Sequence, residues 1–429
     1  MDRHLLTIAV VIFVLAPAAT GEQIAFRDAV TLALKNAKVL TVSEAETLRA
    51  RKAYLEARNA YVPQITLGSG AGYSFGFPLG QPSIFNVTAG GVLWNPAQRE
   101  YVRAANFGIH ASEASLQDRR QQVILETAVT YADLDRHLAA LDLLQSEQDS
   151  AARALSIAQQ RIQSGLEPAV EETRAKLNLA RVHLKYTQVV GETDALRLRL
   201  SQLTGVSAVG LSTISGSLPT LPPTPITESS TAIANDTQAV RAARIDAESK
   251  DHLAAAERNQ LKPQVSLATQ YALFSNSLNN YSSYYRQFSS NNAGLGVEIR
   301  IPLLNFSQRA KYGEAQADAQ KAHAQADDTR DLIANEIARL QHVSQQAAQA
   351  QEIAELDFQL AQSDTAAVST QLETGQRSPK DLQNAQLAEA DKRAAMLDAR
   401  FNYQQARLQL LRLTGEIEGW AKAGGSPAP

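Results

Sequence analysis

The chain contains one sequence plan twice, and this constrains its fold more than any other feature. At a shift of 200 residues, Arg58-Asn59 falls on Arg258-Asn259, and Pro63-Gln64-Ile65-Thr66-Leu67 on Pro263-Gln264-Val265-Ser266-Leu267. At a shift of 210 the match resumes: Trp94-Asn95 on Leu304-Asn305, Gln98-Arg99 on Gln308-Arg309, Gly165 on Gly375, and Leu203-Thr204-Gly205 on Leu413-Thr414-Gly415. The change of register lies between Leu267 and Leu304, so one loop is longer in the second copy. A unit this long is a large supersecondary assembly used twice, and the function must use both copies.

Each copy contains a stretch almost free of helix breakers. Between Asn95 and Ser164 only Pro96 and Gly108 interrupt, and between Asn305 and Thr374 only Gly313 does. Helices of that length are rods of about 105 Å. Asn95 followed by Pro96 marks a start, since Asn caps free amides and Pro suits the first helical position. Leu134, Leu138, Leu141, Leu144, Ala151, Leu155, Ala158 and Ile162 recur at helical spacing and mark a packing seam, which an ordinary coiled coil explains as well. Each rod ends at Gly165 or Gly375, and Pro168 or Pro379 opens a return helix ending near Leu203 or Leu413. Single shorter helices, about Phe26 to Tyr61 and Ile226 to Leu261, open the two copies. Val206 to Pro225, with four prolines among Ser and Thr, reads as an extended linker.

Strands occupy the spaces between Pro63 and Trp94 and between Pro263 and Leu304. Val265, Leu267, Thr269, Tyr271 and Leu273 alternate with polar or small residues, as do Ala293, Leu295, Val297, Ile299 and Ile301. That pattern suits transmembrane β-strands with one face in lipid, and also a small soluble β-subdomain capping a coiled coil. On the membrane reading, Glu298 and Arg300 point into a barrel lumen, and the loop from Ser275 to Asn292 is exposed, with interfacial Tyr281, Tyr284 and Tyr285. Four strands in lipid leave two open edges, so the sheet must close with other chains, giving 8, 12 or 16 strands from two, three or four copies.

Residues 1–21 have a charged start, an apolar run from Leu5 to Ala16 and small residues at Ala16-Pro17-Ala18. This is the pattern of a signal peptide cleaved after Ala18 or Gly21, with an N-terminal membrane anchor as the alternative. The division that follows is 22–225 as first repeat plus linker, 226–420 as second repeat, and 421–429 as a flexible tail. The absence of cysteine fits an exported protein without disulfides, and the charge of -3 gives no sign of a nucleic-acid partner.

No catalytic residue, metal site or cofactor is expected. The seven histidines show no paired ligand spacing, there is no Walker loop and no cysteine nucleophile. Carboxylates on long amphipathic helices read as solvated faces.

The duplicated order of helix, two strands, long helix, glycine turn and return helix, from Ala29-Val30-Thr31-Leu32-Ala33-Leu34-Lys35-Asn36 to Leu413-Thr414-Gly415, resembles the outer-membrane efflux protein (TolC) family. The resemblance implies a mainly α protomer with a transmembrane β part: one third of a homotrimer with an α-helical periplasmic tunnel continued by a 12-stranded outer-membrane β-barrel. It implies a passive exit duct, set in outer-membrane lipid and recruited by a periplasmic adaptor (membrane fusion) protein and an inner-membrane transporter. Carried over residue by residue, it makes Ser164-Gly165-Leu166 and Thr374-Gly375-Gln376 the adaptor-docking tips, with Gln376 departing from the family's small or apolar choice. Glu171, Arg377 and Asp381 match gate positions; Asn384 stands where the family has a further acidic residue, and Leu372 where its best-known member has a tyrosine. The competing reading is a periplasmic coiled-coil scaffold or adaptor without a membrane barrel.

Overall fold

The computed structural model describes residues 22–70, 83–222, 229–275, 277, 281–374 and 376–423. The expected signal peptide, Gly375, the tip of the first strand pair and residues 424–429 lie outside these. Strand β1 (Gln23–Ile24) leads into helices α1 (Phe26–Asn36) and α2 (Lys38–Asn59), followed by strands β2 (Gln64–Gly68) and β3 (Ser83–Trp94). Then come the rod α3 (Pro96–Gln163) and the return helix α4 (Val170–Thr204). Strand β4 (Ser212–Thr213) lies in the linker. The second copy runs α5 (Ser230–Asp236), α6 (Gln238–Asn259), β5 (Gln264–Phe274), α7 (Tyr281–Tyr284), β6 (Asn291–Arg300), α8 (Phe306–Glu373) and α9 (Pro379–Leu413), with α10 (Ile417–Ala423) at the end.

The two rods have 68 residues each and the two return helices 35 each. At about 1.5 Å per residue each rod is ~100 Å long. Both starts are capped by asparagine side chains: Asn95 Oδ1 accepts from the amides of Ala97 and Gln98, and Asn305 Oδ1 from that of Gln308. Of the expected seam, Leu134, Leu144 and Ala151 are buried.

The single opening helices expected from sequence are each broken. Ala37 and Thr237, matched at the shift of 200, both adopt extended backbone and separate α1 from α2 and α5 from α6. Neither residue is a breaker, so the cause lies in tertiary contacts. Asn36 donates to the Thr204 carbonyl at 2.5 Å, and Ala37 is buried with Ala33, Leu40, Val123 and Leu203. The matching positions Ile233, Ile333 and Leu413 pack around a second cluster with Ala234, Ile337 and Leu410.

The duplication reaches individual contacts. Arg51 pairs with Glu113 at 2.8 Å, and their counterparts Asp251 and His323 pair at 2.8 Å. The Gln98 side chain donates to the Ala57 carbonyl at 2.6 Å, and Gln308 to the Glu257 carbonyl at 2.9 Å. The strand register Ile65 opposite Ala89 recurs as Val265 opposite Ile299.

The largest core joins the two copies through the linker. Phe26 meets Tyr131 edge-on at 5.6 Å and lies 5.2 Å from Trp420. The Tyr131 hydroxyl donates to the Ile24 carbonyl at 2.8 Å and accepts from the Ile214 amide at 3.0 Å, pinning β1 parallel to β4. The linker is extended there, and Trp420 donates to the Thr220 carbonyl. Residue 421, where a flexible tail is expected to begin, lies within α10, which runs to Ala423 and buries Ala421 beside Trp420; residues 424–429 fall outside the described ones.

Candidate functional site

The four longer strands form one antiparallel sheet in the order β2-β3-β5-β6. Its register sorts the residues by face. The cross-strand row Ile65, Ala89, Thr269, Leu295 and the row Leu67, Val87, Tyr271, Ala293 lie on one side. The rows Thr66, Thr88, Gln270, Gly294 and Gln64, Gly90, Ala268, Gly296 lie on the other. The second face forms a shallow groove, and the Thr66 and Thr88 hydroxyls meet across it at 2.5 Å. The first face is bare: Ile65 is 73% exposed and Leu295 76%. Glu298 and Arg300 share the polar face and pair with each other at 3.0 Å. No helix among the described residues is long and apolar enough to cross a membrane.

The loop above β5 differs from the exposed one expected. Tyr281 is buried, stacked on Phe288 at 5.4 Å and on Tyr285 at 6.0 Å, whereas Tyr284 and Tyr285 are exposed. An aromatic cluster within the loop takes up the Tyr281 ring, so it is buried among its own neighbours.

At the far ends of the rods are the two turns. Gly165 has φ of 71°, the Leu166 amide reaches back to the Arg161 carbonyl at 2.8 Å, and the Gly165 amide to Ile162 at 2.9 Å. These are the paired bonds of a glycine-terminated helix, which satisfy carbonyls the last turn would leave open. The second turn makes the matching long bond, Gln376 amide to Gln371 carbonyl, at 2.8 Å, and the Thr374 hydroxyl donates to the Gln371 carbonyl at 3.0 Å. Ser164 donates to the Gln160 carbonyl at 2.9 Å, and Leu166 is exposed.

The candidate gate residues make local contacts within the chain. Glu171 pairs with Arg174 at 2.7 Å, and Arg377 donates to the Gln371 side chain at 3.1 Å, so Glu171 and Arg377 are not brought together in one chain. Asp381 closes a capping box: it accepts from the Ser378 amide at 3.0 Å while its own amide donates to the Ser378 hydroxyl. The Ser378 amide, then its hydroxyl, hold the Asp381 carboxyl below the usual carboxylate range. Asn384 is exposed one turn further along α9, and Leu372 is half-buried in the last turn of α8. Glu172, absent from the expected set, is held low by Lys176 and then by Gln159 across the hairpin.

A group of residues between the hairpins was missed from sequence. Three charged positions on α9 reach the first hairpin: Asp391 to Lys185 at 3.5 Å, Asp398 to Arg136 at 2.5 Å, and Arg412 to Asp118 at 3.0 Å. They are spaced by multiples of seven, which is the signal that marks one stripe of a packed helix. Arg136 also lies over the Phe401 ring at 5.1 Å. Beside it His137 is buried, with Nε2 at 3.0 Å from Glu192 and a ring contact to Asp133 at 3.2 Å. The Asp133 hydrogen bond raises the His137 pKa above its usual value, against burial. Burial opposes ionisation of Asp133, yet hydrogen bonds from His137 and Arg136 keep it low.

Comparison with known proteins agrees with this geometry. Residues 96–206 and 229–416 match the sequence model of the outer membrane efflux protein family. No curated protein sequence matches the chain. Among solved structures, the CmeC outer membrane channel of Campylobacter jejuni superposes with a TM-score of 0.77 at 17% identity, over 92% of this chain and 89% of that one. The outer membrane protein VceC of Vibrio cholerae gives 0.74 at 18% identity, over 91% and 96%. The open-state MtrE outer membrane channel of Neisseria gonorrhoeae gives 0.68 at 16% identity, over 91% and 89%.

Proposed function

This chain belongs to the outer membrane efflux protein family and is an outer-membrane efflux duct, and we propose that it works as one subunit of a passive homotrimer. The observation that carries the proposal is the open four-stranded sheet with one bare apolar face. Its edge strands β2 and β6 have 5 and 10 residues. In lipid each unpaired backbone group costs several kcal/mol. Together such edges exceed the roughly 5 to 15 kcal/mol by which a folded protein is stable. Closure is therefore required, and three copies give a 12-stranded barrel with the Gln64, Thr66 and Gln270 face inward.

The rods continue the barrel as a tunnel into the periplasm. The turns at Ser164-Gly165-Leu166 and Thr374-Gly375-Gln376 dock a periplasmic adaptor, and an inner-membrane transporter supplies both cargo and energy. Glu298 and Arg300 line the barrel, and Asp381, with Arg377 and Glu171 nearby on neighbouring hairpins, sits at the periplasmic mouth. The family is one of channels, and transport here needs no bond-making chemistry. A coiled-coil scaffold without a barrel would leave the apolar sheet face, Leu295 included, in water without a partner.

Mass measurement of the complex extracted with detergent from the outer membrane tests the proposal. A mass of three chains is expected. A stable monomer, or recovery in the soluble periplasmic fraction, would overturn it.

A further inference from the structure

We propose that Glu298 and Arg300 form a charge-balanced collar at the base of the barrel bore, which admits cargo of either sign because each residue cancels the other. This rests on the homotrimer proposed above and adds the residues that decide how its barrel treats charge. Among the described residues of the four strands, Glu298 and Arg300 are the only charged side chains. They stand two positions apart on β6, share the polar face and meet at 3.0 Å.

The register fixes where in the bore the pair lies. Arg300 ends β6 opposite Gln264, the first residue of β5, and Glu298 lies opposite Ser266. This end of the sheet joins α6 and α8, so the pair sits where the bore meets the helical tunnel. The levels further from the helices carry neutral residues on the same face, among them Gln64, Thr66, Thr88 and Gln270. Such side chains wet a wall without giving it a sign.

Nothing in the strands competes for either charge. Gln264 and Ser266 are not ionisable, and from Ala60 to Gln98 the sequence has no Asp, Glu, Lys, Arg or His. Closing the barrel at the β6 edge with the first strand pair of another copy therefore brings no further charge to the collar. Both side chains are exposed, and a pair of that kind contributes little to stability. Its consequence falls on what passes. Three Glu298 carboxylates alone would make an anionic ring and three Arg300 guanidinium groups alone a cationic one, and rings of charged side chains are what select ions in pores. Held 3.0 Å apart, the opposite charges leave dipoles, whose field fades faster with distance than that of a charge. The collar is thus two filters that cancel, and removing either residue uncovers the other.

Gly296 supplies a probe two residues from Glu298 on the same face. A Cβ there meets no atom within 4 Å and the chain has no cysteine, so Gly296→Cys places a single thiol per subunit in the bore. Its rates of modification by a cationic and an anionic methanethiosulfonate of similar size, in the assembled trimer at low salt, read the sign of the local potential. Adding Glu298→Gln should lower the cation-to-anion rate ratio about three- to tenfold, as one unbalanced charge about 7 Å away in water implies, and Arg300→Gln should raise it by a similar factor. Adding both should return the ratio to that of Gly296→Cys alone. At about 1 M salt, where screening confines a field to ~3 Å, the four ratios should converge. A trimer whose four ratios already coincide at low salt, or whose double variant stays shifted like a single one, overturns the collar while the homotrimer stands. A trimer in which neither reagent modifies the thiol also overturns the collar, because the site would not face the water of the bore. A particle with the mass of one chain overturns the homotrimer, and the collar with it.

Discussion

Arg136 on the first rod and Asp398 on the second return helix meet at 2.5 Å, and this pair joins the two halves of the duplicated chain midway along the hairpins. Arg136 is half-buried against the Phe401 ring, whereas Asp398 is exposed. Both ends of the contact come from elements 262 residues apart in sequence.

An exposed carboxylate limits what the pair contributes. A double-mutant cycle of Arg136→Ala and Asp398→Ala should give a coupling of about 0.2 to 1 kcal/mol, and Arg136→Ala alone should cost about 0.5 to 1 kcal/mol more through the lost cation–π contact. Thermal unfolding of the purified complex measures both. A coupling of zero would mean that the packing of α3 on α9, not the ion pair, holds the hairpins together.

His137 gives the hairpin seam a pH dependence of defined sign. Its pKa is raised in the folded chain by Asp133, then by Glu192, while Arg136 opposes. A raised pKa means that the stabilisation is present below the unfolded value of about 6.5 and is lost as pH rises through the folded value. The melting temperature should therefore fall as pH rises above about 6.5, and His137→Gln should flatten that slope. Asp133 acts in the opposite window, since its lowered pKa protects stability until the pH falls below the usual carboxylate range.

Gly165 tests the tip. A Cβ there meets no atom within 4 Å, so any cost of substitution comes from the φ of 71° alone. Gly165→Val should strain the turn by about 1 to 2 kcal/mol and impair export with trimer assembly intact, while Gly165→Asn should be tolerated. Export assayed in cells beside the trimer band on a gel separates the two. Full export in a well-expressed Val variant would count against docking at this turn.

The mouth can be tested at Asp381 without breaking the fold. Asp381→Asn keeps an acceptor for the Ser378 amide, so the helix start survives, whereas Asp381→Ala should cost about 1 kcal/mol of capping. In planar bilayers Asp381→Asn should reduce cation selectivity, because it neutralises the ring of three carboxylates that the proposed trimer sets at its mouth. Arg377→Glu should raise conductance. Unaltered ion selectivity in the Asn variant would place the narrowest charge ring elsewhere.

The two faces of the sheet should respond oppositely to charge. Leu295→Arg on the bare apolar face should cost roughly 2 to 4 kcal/mol near the bilayer midplane, while Ser266→Arg on the polar face should assemble. Yield of assembled trimer from the outer membrane reads both. Equal yields would remove the assignment of faces.

The sequence by itself determined what depends on the local backbone. The 68-residue rods, the caps at Asn95 and Asn305 and the left-handed turn at Gly165 follow from residues a few positions apart. The period-two alternation likewise told strand from helix and one face of the sheet from the other. Duplication added register, because two noisy readings of one plan had to agree. Only the tertiary structure decided where distant segments meet. The breaks at Ala37 and Thr237 carry no breaker residue and arise where α1 and α5 fit against helices far along the chain. The charged positions Asp391, Asp398 and Arg412 look like any solvated face until α9 lies beside α3 and α4. Asp381, read as a pore charge, also proves to be a helix cap, since a carboxylate's partner is set by the backbone amides that the fold places within reach. Local propensity is fixed by neighbours in sequence, whereas an ion pair or an interrupted helix is decided by packing between surfaces that sequence distance does not reveal.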